Sequence, residues 1–173
     1  MQRRMLFIFA LPVMLLAMLV IGASAALADS PHFISEGTAN ITSAGLYNVS
    51  NFKEAGLGNT VSTEKITLSA TATATYACIN GGGKHPSATN KETVTGAVSF
   101  TGNFPVRNGQ TTGSISVGPP GPGSFTCPPG QTLTLAFVSY TGVMLTGVAG
   151  DTSAEPDLSA CLFLGVGICL PHE

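Results

Sequence analysis

Apolar and polar side chains alternate strictly through residues 64–79. Ile66, Leu68, Ala70, Ala72, Ala74, Tyr76 and Cys78 take the even positions, while Thr67, Ser69, Thr71, Thr73 and Thr75 take odd ones. Successive side chains of a strand point to opposite faces, so this period of two predicts a strand with one face buried. A second stretch repeats the pattern, with Val94, Val98, Phe100 and Phe104 on one side and Thr93, Thr95, Ser99 and Thr101 on the other. Gly96 and Gly102 fall among its apolar positions and read as bulges. Further strands are expected at residues 113–117, 133–140 and 142–146, with weaker ones across 32–49. Clusters such as Asn80-Gly81-Gly82-Gly83, Arg107-Asn108-Gly109 and Pro128-Pro129-Gly130 mark the turns between them. Only residues 52–57 offer a short helical turn. Many short strands without intervening helices predict an all-β chain, an antiparallel immunoglobulin-like sandwich behind an N-terminal signal helix.

That leading helix is expected from a different pattern. Arg3 and Arg4 precede an unbroken apolar run from Met5 to Ile21, followed by small residues ending in Ala26-Leu27-Ala28. This is the order of a secretory signal peptide, with cleavage between Ala28 and Asp29. Ala23-Ser24-Ala25 offers a second cut site, and a retained anchor is the competing reading because the run approaches the roughly 20 residues that span a bilayer. Both place the remaining chain outside the cytoplasm, with membrane contact only through this segment. The expected organisation is a signal peptide at 1–28, a β-sandwich domain at 29–148 and a C-terminal tail or last strand at 149–173.

Removing the leader leaves five Lys and Arg against nine Asp and Glu. Lys53, Lys65, Lys84, Lys91 and Arg107 are scattered, and phosphate binding needs clustered cations, so nucleic acid is excluded as a partner. Four cysteines remain in an oxidising compartment, where bridges form. Cys78 lies on the inward face of the first strand, and Cys127 follows Phe125 by two residues on the same side. A bridge between them closes a separation of 49 residues and is worth about 4 kcal/mol in the chain-entropy model. Cys161 with Cys169 is the natural second pair, although four cysteines permit three connectivities.

Tyr76-Ala77-Cys78 has the look of the immunoglobulin tyrosine signature, but that signature precedes the second cysteine of its pair. Cys78 is the first, and the chain has no tryptophan. A closer likeness lies in Phe52-Lys53-Glu54-Ala55-Gly56-Leu57-Gly58, in Thr75-Tyr76-Ala77-Cys78-Ile79-Asn80-Gly81-Gly82-Gly83-Lys84, and in Phe125-Thr126-Cys127-Pro128-Pro129-Gly130-Gln131-Thr132. With Val138-Ser139-Tyr140-Thr141, these resemble a family of small exported bacterial proteins with no assigned activity, over roughly residues 46–146. The resemblance implies export, a β fold and the Cys78 to Cys127 pairing. It brings no catalytic residues.

Candidate chemistry is sparse. Gly81-Gly82-Gly83-Lys84 lacks the earlier glycine and the following Ser or Thr of a phosphate loop, so it reads as a hairpin loop. Asp151, Glu155 and Asp157 carry oxygen ligands of the kind calcium takes, but without a glycine-spaced ligand loop they read as a solvated loop. His32, His85 and His172 are isolated from other metal ligands. No Gly-x-Ser-x-Gly elbow occurs. Residues 118–123 look collagen-like for two triplets only and read as a stiff turn. Asn40-Ile41-Thr42 and Asn48-Val49-Ser50 are glycosylation sequons. The apolar stretch 160–170 is too short to span a membrane. No catalytic, metal or cofactor residue is therefore expected. The expected function is an exported, non-catalytic surface or extracellular module whose partner is an extracellular protein or envelope polymer. A freely secreted effector or inhibitor and an unrecognised secreted hydrolase are the alternatives.

Overall fold

The computed structural model describes residues 30–80 and 90–163. The expected signal segment with Ala28 and Asp29, the glycine loop with Lys84 and His85, and Cys169 and His172 lie outside the described residues. Nine strands follow in order: β1 (His32–Ser35), β2 (Thr38–Ile41), β3 (Tyr47–Ala55), β4 (Thr63–Asn80), β5 (Lys91–Pro105), β6 (Gln110–Val117), β7 (Gln131–Thr146), β8 (Thr152–Ala154) and β9 (Leu158–Cys161). Among the described residues no helix is long and apolar enough to cross a membrane.

The strands form two antiparallel sheets packed face to face. In the first, β3 pairs with β6 along one edge, while β1 and β2 share the other. In the second, β4 lies between β5 and β7, and β8 and β9 both add to the outer edge of β7. The core between them takes Tyr47, Val49, Phe52, Ile115 and Val117 from the first sheet. From the second it takes Ile66, Leu68, Ala70, Ala72, Val138, Tyr140, Val143 and Leu145. The even positions of β4 from Glu64 to Ala74 point inward, as the alternation predicts; past a register shift against β7 at Thr75/Tyr76, Ala77 and Ile79 are buried as well, in a smaller cluster with Ala136. On the opposite face the threonines pair across strands, Thr67 with Thr101 at 2.8 Å and Thr73 with Thr95 at 2.9 Å.

Three local expectations are corrected. Residues 52–55 are not a helical turn but the end of β3. The helical reading missed a bulge between Ser50 and Phe52, where Asn51 adopts φ +60°, a conformation that asparagine tolerates better than most residues. Gly96 and Gly102 are not bulges, since β4 and β5 stay in register throughout. Gly102 instead leaves room for the Phe104 ring, which would meet a Cβ there at 2.8 Å. Residues 133–140 and 142–146 are one strand bent at Gly142, whose φ of +59° accommodates a register shift against β4. Through Cys161 the C-terminal region contributes β8 and β9.

Each tyrosine ties a loop to the sandwich. Tyr47 and Tyr140 meet edge to face across the sheets with centroids 5.3 Å apart. The Tyr47 hydroxyl donates to Pro156 O at 2.7 Å, and that of Tyr140 to Gly45 O at 2.7 Å. Tyr76 donates to Pro120 O at 2.8 Å, holding the crossover of residues 118–130 that carries the chain from the first sheet to the second. The Cys78–Cys127 disulfide anchors the same crossover to the end of β4. Cys161 closes β9 and is not a free thiol; its expected partner, Cys169, is beyond the described residues.

Replacing Cys78 and Cys127 together by serine is expected to cost about 4 kcal/mol, read as a lower urea midpoint with an intact β signature by circular dichroism. Tyr140→Phe leaves Gly45 O without its short hydrogen bond and is expected to cost about 1–3 kcal/mol in the same titration.

Candidate functional site

The bulge at Asn51 decides which side chains of β3 enter the interior. Before it Tyr47 and Val49 point inward; after it the parity shifts, and Phe52 and Glu54 do. Glu54 is consequently fully buried, at 0% exposure. It sits at one end of the sandwich, where the turn between β7 and β8 folds over it. That turn is closed by Gly147 N–H donating to Asp151 O at 3.0 Å and Gly150 N–H donating to Gly147 O at 3.1 Å. It brings the Asp151 carboxyl to the Glu54 carboxyl. Glu64, 5% exposed at the start of β4, completes the group and accepts the Val148 N–H at 2.8 Å.

Both oxygens of Glu54 and both of Asp151 are buried without a hydrogen-bond partner. The bond still open to the pair is carboxyl to carboxylate, and it requires a proton. The Glu54 carboxyl is pushed up to about 8, first by burial and then by the negative charges of Asp151 and Glu64, and the hydrogen bond to Asp151 that the added proton makes possible raises it further. Gly147 is what lets the two carboxyls approach. A Cβ there would collide with Asp151 Oδ1 and lie 2.8 Å from Glu54 Oε1.

The acidic residues that the sequence suggested as one solvated loop go three separate ways. Asp151 turns in toward Glu54. Glu155 is buried at 7% exposure, and burial, with the nearby Glu36 charge, raises its carboxyl above the usual range. Asp157 stays exposed and accepts the Gly142 N–H at 2.8 Å, fixing the bend in β7. Glu54 itself was missed, because a helical reading of residues 52–57 gives it no inward face. Extending the β alternation from Tyr47 through Val49 and allowing one bulge would have found it.

The other candidates are placed as follows. His32 bonds Ser30 O through Nδ1 at 2.7 Å and stands apart from any acid cluster. The two sequon asparagines are directly paired in register, and the Asn48 amide donates to Asn40 Oδ1 at 3.0 Å while accepting from Ser116. A groove of about 520 Å³ runs between residues 122–126 and the side chains of Glu92 and Val94 at the start of β5. No protein-family model, curated protein or solved structure matches this chain.

The raised Glu54 pKa has a definite sign for stability. Between the ordinary glutamate value near 4.5 and about 8, the folded chain holds a proton at this site that the unfolded chain releases. Raising pH through that window therefore favours unfolding. In calcium-free buffer with chelator, melting temperature is expected to fall across this window, and Glu54→Gln, permanently neutral, should flatten the fall. At the upper end of the window Glu54→Gln should melt about 5 °C higher than the parent chain.

Proposed function

We propose that this chain is an exported, non-catalytic β-sandwich protein serving as a surface or extracellular structural or binding module. The Cys78–Cys127 disulfide is the observation that carries this reading, because such bonds persist in oxidising compartments outside the cytoplasm. The signal-peptide pattern ending at Ala28 and the likeness to small exported bacterial proteins support it from the sequence. The immunoglobulin-like description belongs to this reading at the level of two packed antiparallel sheets. The disulfide here links a strand to a crossover loop rather than one sheet to the other. The buried carboxyls weigh against a hydrolase built on them, since a side chain at 0% exposure offers no access to a polymer or ester.

A second reading, a freely secreted effector or inhibitor, is favoured by the crossover at residues 118–130. Tyr76 and Cys127 hold it at two points beside an open groove. A loop fixed in advance loses little freedom on binding a protein partner.

Intact mass, with and without reductant, of protein recovered separately from medium and washed envelope tests the proposal. A chain beginning at Asp29, lacking four hydrogens before reduction and found on the envelope, is the expected result. The same species confined to the medium would move the assignment to the soluble effector, and a reduced, uncleaved chain in the cytoplasm would overturn export. Generic ester, peptide and glycoside substrates are expected to remain unturned; turnover of any of them would end the non-catalytic reading.

A further inference from the structure

Glu54 and Asp151 bring four carboxyl oxygens together in the interior, and none of the four accepts a hydrogen bond from a protein donor. Two unpaired carboxylates out of water are costly, and the cost is relieved by neutralising or coordinating them. A shared proton removes one of the two charges. A divalent cation removes both and gives the orphaned oxygens a partner. Glu54 is wholly buried and directed at Asp151, and both carboxyls lie against Gly147, where any side chain would collide with them.

The geometry points to a calcium site, in which Glu54 and Asp151 supply oxygen ligands and Glu64 supplies further negative charge alongside. An all-oxygen, carboxylate donor set suits hard cations and not zinc or copper, which favour imidazole and thiolate. Among the described residues no three Asp, Glu, His or Cys side chains converge as a complete ligand set. A cation held here would complete its shell with backbone carbonyls and water, both of which calcium accepts readily, whereas magnesium demands near-ideal octahedral geometry. Asp151 sits on a turn containing Gly150 at φ +85°, so one ligand comes from a loop and the other from the rigid end of β3. Binding would tie the β7–β8 turn to the first sheet. This site stands on its own geometry, and export decides only how much calcium it meets.

Melting the full chain at near-neutral pH and fixed ionic strength, in chelator, calcium chloride or magnesium chloride, tests the site. With about 5 mM calcium, above the affinities of extracellular calcium modules, the melting temperature is expected to rise about 5 °C over chelator. Magnesium should give a smaller rise. Glu54→Gln and Asp151→Asn should each abolish the calcium response, while Glu92→Gln on exposed β5 should keep it. Should either variant fail to fold, equilibrium dialysis of the parent chain against calcium decides, with about one ion per chain expected. No calcium bound, or a calcium response that survives both carboxyl substitutions, would overturn the proposal. A chain indifferent to calcium but stabilised by Glu54→Gln in chelator would show that the pair holds only a proton.

Discussion

The edge-to-face contact of Tyr47, the first residue of β3, with Tyr140 of β7 joins the two sheets, and two loops are held by the same pair of side chains. The facing strand β4 offers Ala70, Ala72 and Ala74, all nearly or wholly buried, and such small side chains leave space that large rings must fill. A tyrosine ring fills it, but its hydroxyl then needs an acceptor inside the protein, because a buried unpaired hydroxyl is costly. Each acceptor is a loop carbonyl. The turn at Gly45 and the segment at Pro156 are therefore held in place by the same two side chains that close the core. Burial moves both phenols well above their usual range, so they remain neutral donors at any physiological pH.

Where alternation was unbroken, the sequence disclosed the fold directly. The inward run Ile66 to Ala74 and the outward threonines of β4 and β5 lie where a period of two puts them. What escaped were the points at which the period changes. Asn51 and Gly142 each insert a residue and shift the parity, so residues 52–55 looked helical and β7 looked like two strands. Gly102 misled in the opposite sense, because a glycine among apolar positions has two physical uses, bending a strand or making room for a ring such as Phe104. A single sequence does not tell them apart.

The carboxyl group was legible only in part, for the same reason. Asp151 drew notice by its proximity in sequence to Glu155 and Asp157, yet its partners Glu54 and Glu64 come from strands far upstream. Closeness along the chain is a poor guide in a sandwich whose neighbours are distant in sequence. The Cys78 and Cys127 pairing was reachable because both cysteines sit in recognisable settings, one on a strongly patterned strand and one beside a proline-glycine turn.

The central position of β4 also makes its sheet depend on contacts distant in sequence. Its partners on β7 lie between 51 and 79 positions further along the chain, so half of its hydrogen bonds wait for nearly the whole sequence to be present. Chains dominated by such distant pairings fold slowly. The hairpin of β4 and β5 supplies the shorter-range pairings of that sheet, and β7 supplies the longer-range ones. Cys127 lies in the segment that crosses between the sheets ahead of β7, so the Cys78–Cys127 bond leaves only a short stretch of chain between the end of β4 and the start of β7 and shrinks the loop that their pairing must close.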